Sequence, residues 1–292
     1  MTGLGPFRYE RPSSLEELRT ILSSHGPDRI RFLAGGTDLI PAMRRGKESP
    51  DVIIDLKGLP GMAGIASPDG QSLLIGALTR IHALESDPRL QSRATALFEA
   101  ARYLGSWQVR NRATIGGNLA NGAPTADSAA PMLALDGKIV IWGPAGERRI
   151  RSDSFWVDAG KTALGPGEII LRVEVPVLHG MSSAYIKLGT RQAMEIAIVS
   201  AAVALTTENN TVREIRIGLG GAGATPLRAV SAEEYAGGRP ATDETITEVG
   251  RLAAADSNPR SSVRASREYR LKVIPVLVER AMRLALGGQR GL

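Results

Sequence analysis

Residues Ala113-Thr114-Ile115-Gly116-Gly117 open the stretch that decides the fold, ATIGGNLANGAPTADS, which ends at residue 128. The stretch consists of small residues, and its only charged side chain comes near its end. Such a loop lets the backbone approach a ligand closely, and its N–H groups can face phosphate oxygens. The alternative is a tight turn between a strand and a helix, because short glycine motifs are also common in ordinary turns.

A second stretch of the same character lies upstream, FLAGGTDL at residues 32–39. The apolar run 30–34 predicts a strand before its glycine pair, and residues 39–45 predict a helix after it. Strand, glycine turn and helix in this order favour a phosphate site. The spacing is not that of a Rossmann motif, and the sequence has no Walker A loop. We predict that the two stretches form opposite sides of one dinucleotide site.

The composition excludes several kinds of chemistry. The 292 residues include no cysteine, so the chain can form no disulfide, thiolate-bound iron–sulfur cluster or thiol nucleophile. The three histidines are far apart in the sequence, which argues against a zinc site, and no metal site is predicted. Any redox chemistry must therefore use an organic cofactor.

Charge and hydropathy indicate the kind of partner. The formal net charge is +6, but basic residues alternate with acids and only 4% of the residues are aromatic. This balance argues against nucleic-acid binding and favours an anionic ligand or an acidic protein partner. No apolar run is long enough to span a membrane, and residues 1–11 lack the apolar segment of a signal peptide. We therefore expect a cytoplasmic protein that does not contact a membrane.

The pattern of the chain changes near Pro176. Before that residue, strand-like and helical segments alternate, which predicts a mixed α/β region containing both glycine stretches. After it, three strand-like runs predict an antiparallel sheet, and two helical runs follow. The strand-like runs are 184–188, 196–205 and 212–219, and the helical runs are 242–255 and 264–286.

Asp127 lies near the end of the first stretch, and its carboxylate has two interpretations. It can accept a hydrogen bond from a ribose hydroxyl or an amide group of a ligand. Alternatively, it caps a helix predicted over residues 128–135, since aspartate is a favoured N-cap residue. The residues themselves leave both interpretations open.

The two glycine stretches, LAGGTDL at 33–39 and ATIGGNL at 113–119, closely resemble the FAD-binding medium subunit of the molybdenum hydroxylases. That family includes xanthine dehydrogenases, carbon monoxide dehydrogenase, and aldehyde and N-heterocycle hydroxylases. The resemblance covers essentially the whole chain, including residues 121–131 and the sequence PRSSVRASREYRL at 259–271. The NGA run at 121–123 and the RASREYR segment at 264–270 look most like bacterial xanthine dehydrogenase FAD subunits.

The resemblance implies an α+β fold. An FAD-binding domain of the vanillyl-alcohol-oxidase type would consist of two α+β subdomains, residues 1–56 and 57–176. A C-terminal domain, residues 177–292, would combine an antiparallel sheet with a helical bundle.

The resemblance also assigns FAD contacts by position, and it implies no catalytic acid or base on this chain. Lys187 would lie near the flavin, where it would stabilise negative charge on the reduced ring; the alternative is a solvated lysine on a strand. The expected FAD-binding residues are Phe32, Leu33, Ala34, Gly35, Gly36, Thr37, Asp38, Leu39, Leu104, Thr114, Ile115, Gly116, Gly117, Asn118, Asp127, Ile170 or Leu171, and Lys187.

The implied function is electron relay within an oxidoreductase. Xanthine or another N-heterocycle would be hydroxylated on a large molybdopterin subunit. Electrons would then pass through 2Fe–2S clusters of a small subunit to FAD on this chain, and from there to NAD or another acceptor. A dimer of heterotrimers is the expected assembly. Some relatives hold an extra iron–sulfur cluster in this subunit, but the absence of cysteine excludes that variant here.

Three alternatives stay open at this point. The chain could be the medium subunit of a carbon monoxide or aldehyde dehydrogenase. It could also be a stand-alone FAD oxidase of the same fold, in which His82 or His179 would be the available covalent tether for the flavin. The third alternative is a binding module that has lost FAD, which the intact glycine motifs argue against.

Overall fold

The computed structural model describes residues 4–287, which form fourteen β-strands and eleven α-helices. The strands are β1 Arg8–Glu10, β2 Ile30–Leu33, β3 Val52–Asp55, β4 Ile65–Ala66, β5 Ser72–Gly76, β6 Lys138–Gly143, β7 Gly146–Arg151, β8 Trp156–Asp158, β9 Lys161–Thr162, β10 Ile169–Pro176, β11 Ser182–Leu188, β12 Val199–Glu208, β13 Thr211–Gly220 and β14 Leu227–Arg228. The helices are α1 Leu15–Ser23, α2 Leu39–Arg44, α3 Ile81–Leu84, α4 Pro88–Arg93, α5 Thr95–Tyr103, α6 Trp107–Arg110, α7 Ile115–Ala120, α8 Ala129–Ala134, α9 Val230–Ala236, α10 Asp243–Ala255 and α11 Arg267–Ala285.

The first three strands form a small parallel sheet in the order β1-β3-β2. Its central strand, β3, is buried at all four positions, as expected for a strand with neighbours on both sides. β2 is an edge strand, and α2 begins six residues after it ends. The strand and helix predicted around the first glycine stretch are therefore present, each one residue shorter than expected.

The second sheet is antiparallel, with the order β4-β5-β10-β6-β7. Its central strand, β10, pairs with β6 through a bulge, where the register shifts between Ile170 and Arg172. A bulge changes the direction in which the side chains around it point. This irregularity lies at two of the predicted FAD contacts.

The third sheet is the antiparallel sheet predicted for the C-terminal part, in the order β11-β12-β13-β14. Side chains of β12 alternate between two cores: Ala202 and Ala204 lie in the larger one, whereas Ala201 and Val203 lie in the C-terminal one. Because both faces of β12 are covered, its sequence is a continuous apolar run rather than an alternating one. The short strand β14 was not predicted.

Helices cover both faces of the third sheet. α5 packs on β11 and α8 packs on β12 and β13, whereas α11 packs on the other face. α11 begins three residues later than predicted, because the hydroxyl of Ser266 accepts a hydrogen bond from the N–H of Tyr269 and caps it there. In the part of the chain that the structure describes, no helix combines the length and apolarity that crossing a bilayer requires.

Candidate functional site

The two glycine stretches lie in direct contact. Residues 34–38 form the turn between β2 and α2, and Gly36 within it has a φ angle of +76°. A Cβ atom on Gly35 would lie 2.2 Å from the carbonyl oxygen of Arg112 and 2.9 Å from the Cα atom of Ala113. No side chain fits into this contact, so glycine at position 35 allows the backbones of the two stretches to touch.

The first turn presents a row of free amide groups. Within residues 4–287, the N–H groups of residues 35–39 donate no hydrogen bond to another protein group. Asp38 is exposed and the other four residues are half-buried, so the row is accessible from solvent. Successive N–H groups in a turn form a concave site for anions. The turn therefore provides donors of the kind that a pyrophosphate group needs.

The second stretch is helical where a loop was predicted. Thr114 caps α7, because its Oγ1 atom accepts a hydrogen bond of 3.2 Å from the N–H of Gly117. Its carbonyl oxygen accepts another of 3.0 Å from the N–H of Asn118. Both amide groups are thus used by the start of the helix itself.

The first two amide groups of α7, which belong to Ile115 and Gly116, bind a more distant part of the chain. The N–H groups of Ile115 and Gly116 donate to the carbonyl oxygens of Thr79 and Ala77, at 3.1 and 2.8 Å. The prediction that this stretch offers free amides to phosphate is therefore wrong from Ile115 to Asn118. The contact with residues 77–80 uses two of the donors that the sequence analysis assigned to phosphate.

A cavity of about 110 Å³ lies between the two stretches. Its lining is mostly apolar, which suits an aromatic part of a ligand. Five of the predicted residues line it: Phe32, Ala34, Gly116, Gly117 and Ile170. Sequence reasoning missed the others, which apart from Ala120 lie outside the two stretches: Leu56, Ala77, Leu78, Ala120, Leu164, Glu168 and Ile169.

Ile170 and Leu171 were alternatives for one predicted contact, and the structure separates them. Ile170 lines the cavity between the glycine stretches. Leu171, at the bulge of β10, lines a different cavity of about 360 Å³ together with Ser14 and Met62. Of the two, only Ile170 lies at the candidate site.

Asn118 connects α7 to the residues around Asp127. Its Oδ1 atom accepts hydrogen bonds from the N–H and the hydroxyl of Ser128, at 3.3 and 2.5 Å. The side chain of Ser128 makes no capping bond to α8, and neither does that of Asp127. The interpretation of Asp127 as a helix cap is therefore wrong.

The carboxylate of Asp127 binds β11 instead. One oxygen accepts a hydrogen bond of 2.8 Å from the hydroxyl of Tyr185, and the other accepts one of 3.0 Å from Nζ of Lys187. Burial raises the pKa of Asp127 above its ordinary value, although the Lys187 ammonium opposes that shift. Burial and the neighbouring Asp127 carboxylate also raise the pKa of Tyr185 well above its ordinary value.

Lys187 is a buried residue with several partners, and not a solvated strand lysine. Its side chain is 6% exposed, and Nζ also donates to the carbonyl oxygens of Tyr103 and Glu195, at 3.0 and 2.9 Å. All three N–H donors of the ammonium group therefore have protein acceptors. Leu104, which follows Tyr103 in the chain and was predicted to contact FAD, is 6% exposed.

A regular series of hydrogen bonds joins α5 to β11. Acceptors and donors three and four residues apart on the helix meet alternate residues of the strand. The bonds join Ala96 N–H to Ser183 Oγ, Tyr185 N–H to Glu99 Oε2, and Lys187 Nζ to the Tyr103 carbonyl, at 3.1, 2.8 and 3.0 Å. This polar series attaches the C-terminal sheet to the region that contains both glycine stretches.

Comparison with known families identifies the chain. A model described as the FAD binding domain in molybdopterin dehydrogenase matches residues 5–178. A second model, the CO dehydrogenase flavoprotein C-terminal domain, matches residues 184–285. The chain belongs to this family of molybdopterin-dehydrogenase flavoproteins. It is an oxidoreductase subunit with FAD as its cofactor, as the sequence resemblance implied.

Relatives of this flavoprotein family match over nearly the full length of the chain. The glyceraldehyde dehydrogenase medium chain of Sulfolobus acidocaldarius is 34% identical, over 95% of this chain and 97% of the relative. The xanthine dehydrogenase FAD-binding subunit of Escherichia coli is 32% identical, over 97% of each chain. The solved carbon monoxide dehydrogenase from Hydrogenophaga pseudoflava superposes with a TM-score of 0.93 at 33% identity, covering 98% of this chain and 99% of that one.

The residues present fit the FAD of this flavoprotein family. The amide row of the first turn supplies donors for a pyrophosphate, and the cavity beside it supplies apolar walls. Within the described residues, no three histidine, aspartate or glutamate side chains come together as a metal site would require.

Proposed function

We propose that this chain is the FAD-carrying medium subunit of a molybdenum hydroxylase, between an iron–sulfur subunit and the final electron acceptor. The observation that carries this proposal is the row of free amide groups at residues 35–39, which lies against the second glycine stretch. Bound FAD supplies the conversion between one-electron and two-electron transfer. The chain itself binds and orients the flavin and excludes water from it.

The proposed binding site assigns a different task to each part. The turn Gly35–Leu39 holds the pyrophosphate through its amides, with the hydroxyls of Thr37 and Thr114 as further donors. Ile170 and the other cavity residues contact an aromatic ring of the cofactor. Lys187 of the C-terminal sheet, with its partner Asp127 and with Leu104, forms a further wall of the site. We propose the subdomain boundaries 1–56, 57–176 and 177–292 on the same basis.

The partners follow from the chemistry that this chain lacks. Because this chain has no cysteine, it cannot hold a thiolate-bound iron–sulfur cluster. In our proposal, the clusters that deliver electrons lie on a small 2Fe–2S subunit, and the substrate is oxidised on a large molybdopterin subunit. Medium chains from carbon monoxide and glyceraldehyde dehydrogenases support this assembly by their similarity. We propose purine or N-heterocycle oxidation in the cytoplasm, NAD as the acceptor and a dimer of heterotrimers.

A stand-alone oxidase with a covalently bound flavin is less well supported. Nδ1 of His82 forms a hydrogen bond of 2.7 Å with Glu85, and its ring packs against Trp107 with 4.4 Å between the ring centres. His82 and His179 do not line the cavity between the glycine stretches. Neither of them is placed to tether the cofactor.

The test is to purify the chain with its partner subunits from the native host. We expect about one FAD per chain, released by denaturation, and flavin absorbance that bleaches on adding xanthine and recovers on adding NAD. Glyceraldehyde and carbon monoxide are tested separately as alternative substrates. If only one of them bleaches the flavin, that compound and not xanthine indicates the substrate class. A chain that purifies alone and colourless, and that takes up no FAD, would refute the proposed function.

A further inference from the structure

Lys57 lies beside the amide row without belonging to either glycine motif. It sits in the short 3-10 helix Leu56–Gly58 that follows β3. Its Nζ atom donates a hydrogen bond of 3.0 Å to the carbonyl oxygen of Ala34, the first residue of the turn. The same atom forms an ion pair of 2.6 Å with Oδ1 of Asp55, so the lysine joins the end of β3 to the end of β2.

Asp55 holds Lys57 in this position. The Asp55 side chain is 5% exposed, and its carboxylate also accepts hydrogen bonds from the N–H of Lys57, at 3.0 Å, and from the hydroxyl of Tyr9, at 2.5 Å. Burial alone would raise the pKa of Asp55, but the hydrogen bonds from Lys57 and Tyr9 outweigh it and hold the pKa below its ordinary value. The lysine therefore has a fixed and ionised partner.

The geometry of the peptide group links this contact to the amide row. The bond between Ala34 and Gly35 is trans, so the carbonyl of Ala34 and the N–H of Gly35 point in opposite directions. A lysine that holds the carbonyl on one side therefore directs the N–H to the other side. Glycine at position 35 itself restricts rotation of this peptide plane less than another residue would, so the contact with Lys57 adds to what holds it.

We infer that Lys57 is a positioning residue for the cofactor. It fixes the peptide between Ala34 and Gly35 so that the first amide of the row points into the pyrophosphate site. Asp55 and Tyr9 hold Lys57 in place. This inference rests on the proposed function, because it assumes that the row binds the pyrophosphate of FAD.

The test measures FAD binding to the full chain after removal of the flavin. We expect Lys57→Met to weaken FAD binding by about tenfold to a hundredfold, the effect of losing one charged hydrogen bond. The matched control is Lys272→Met, the same change at an exposed lysine of α11, and it should bind as the wild type does. Lys57→Arg keeps a charged donor, and its dissociation constant should stay within about threefold of the wild-type value.

Hydrogen exchange separates positioning from general stability. In the wild-type chain, FAD should slow exchange of the amides at residues 35–39, whereas in Lys57→Met the amide of Gly35 should stay fast. Wild-type affinity in Lys57→Met, or equal losses in Lys57→Met and Lys57→Arg, would overturn the role of Lys57. If Lys57→Met does not fold, Lys57→Arg alone decides: normal affinity and a slowed Gly35 amide support the role, and a loss of either overturns it. A wild-type chain that does not bind FAD would instead refute the proposed function.

Discussion

The contact between the glycine stretches makes Gly35→Ala the most informative substitution. The added Cβ atom would lie 2.2 Å from the carbonyl oxygen of Arg112, whereas ordinary contacts begin at 3.4 Å, so the two backbones must separate by about 1 Å. Both sides of the contact are backbone, so no flexible side chain can move aside. Overpacking of this kind costs about 1–3 kcal/mol of the free energy of unfolding.

The same displacement moves the amide row away from its place beside the cavity. We expect FAD to bind at least about tenfold more weakly, since about 1.4 kcal/mol of lost interaction gives that factor. Urea unfolding of the flavin-free chain measures the first effect, and flavin fluorescence during titration measures the second.

The matched control is Gly26→Ala, where a Cβ atom has no neighbour within 4 Å and the backbone likewise has no positive φ angle. We expect this variant to be as stable as the wild type, or more stable by up to about 1 kcal/mol, because alanine lowers the conformational entropy of the unfolded chain. If Gly35→Ala binds FAD and resists urea as Gly26→Ala does, the close contact of the two stretches is not needed for the site.

Two further substitutions test other parts of the site. Thr114→Ala removes the cap of α7 and should lower the free energy of unfolding by about 1 kcal/mol, with Thr242→Ala at the cap of α10 as a similar loss outside the site; a wild-type urea midpoint for Thr114→Ala would refute the role of the cap. Lys187→Met leaves the buried carboxylate of Asp127 without its cation and should cost about 3–5 kcal/mol at pH 7.5. Burial raises the pKa of Asp127 and Lys187 opposes that shift, so without Lys187 the folded chain should bind a proton at Asp127 more tightly still. Lowering the pH to 5.5 should therefore stabilise Lys187→Met more than the wild type, and the difference in stability between them should shrink. A deficit that stays constant or grows over that range in urea unfolding would contradict this assignment.

Local signals predicted the first turn well. The apolar run before Gly35, the glycine pair and the helix after it are neighbours in sequence, so their pattern contains the whole strand–turn–helix unit. The C-terminal antiparallel sheet was also predictable, because each of its three longer strands has its own apolar run. These features depend on contacts that short segments make by themselves.

The second stretch was harder to predict because its partners are distant. The carbonyl groups of Ala77 and Thr79 take the amides of Ile115 and Gly116, and nothing in the local sequence indicates that pairing. Asp127 is similar, since its partner Lys187 lies sixty residues further along the chain. A short polar side chain at a helix start suggested a cap, but the tertiary ion pair took its place.

The hydrogen bonds between α5 and β11 fix the register of the helix against the strand. Deleting one residue from α5 would rotate every later bonding residue by about 100° around the helix axis. Shifting β11 by one residue would turn the side chains of Ser183 and Lys187 to the other face of the sheet. Chain length should therefore be fixed in Thr95–Tyr103 and Ser182–Leu188. A C-terminal domain transplanted from a relative would pack on α5 only if its first strand kept the register of β11.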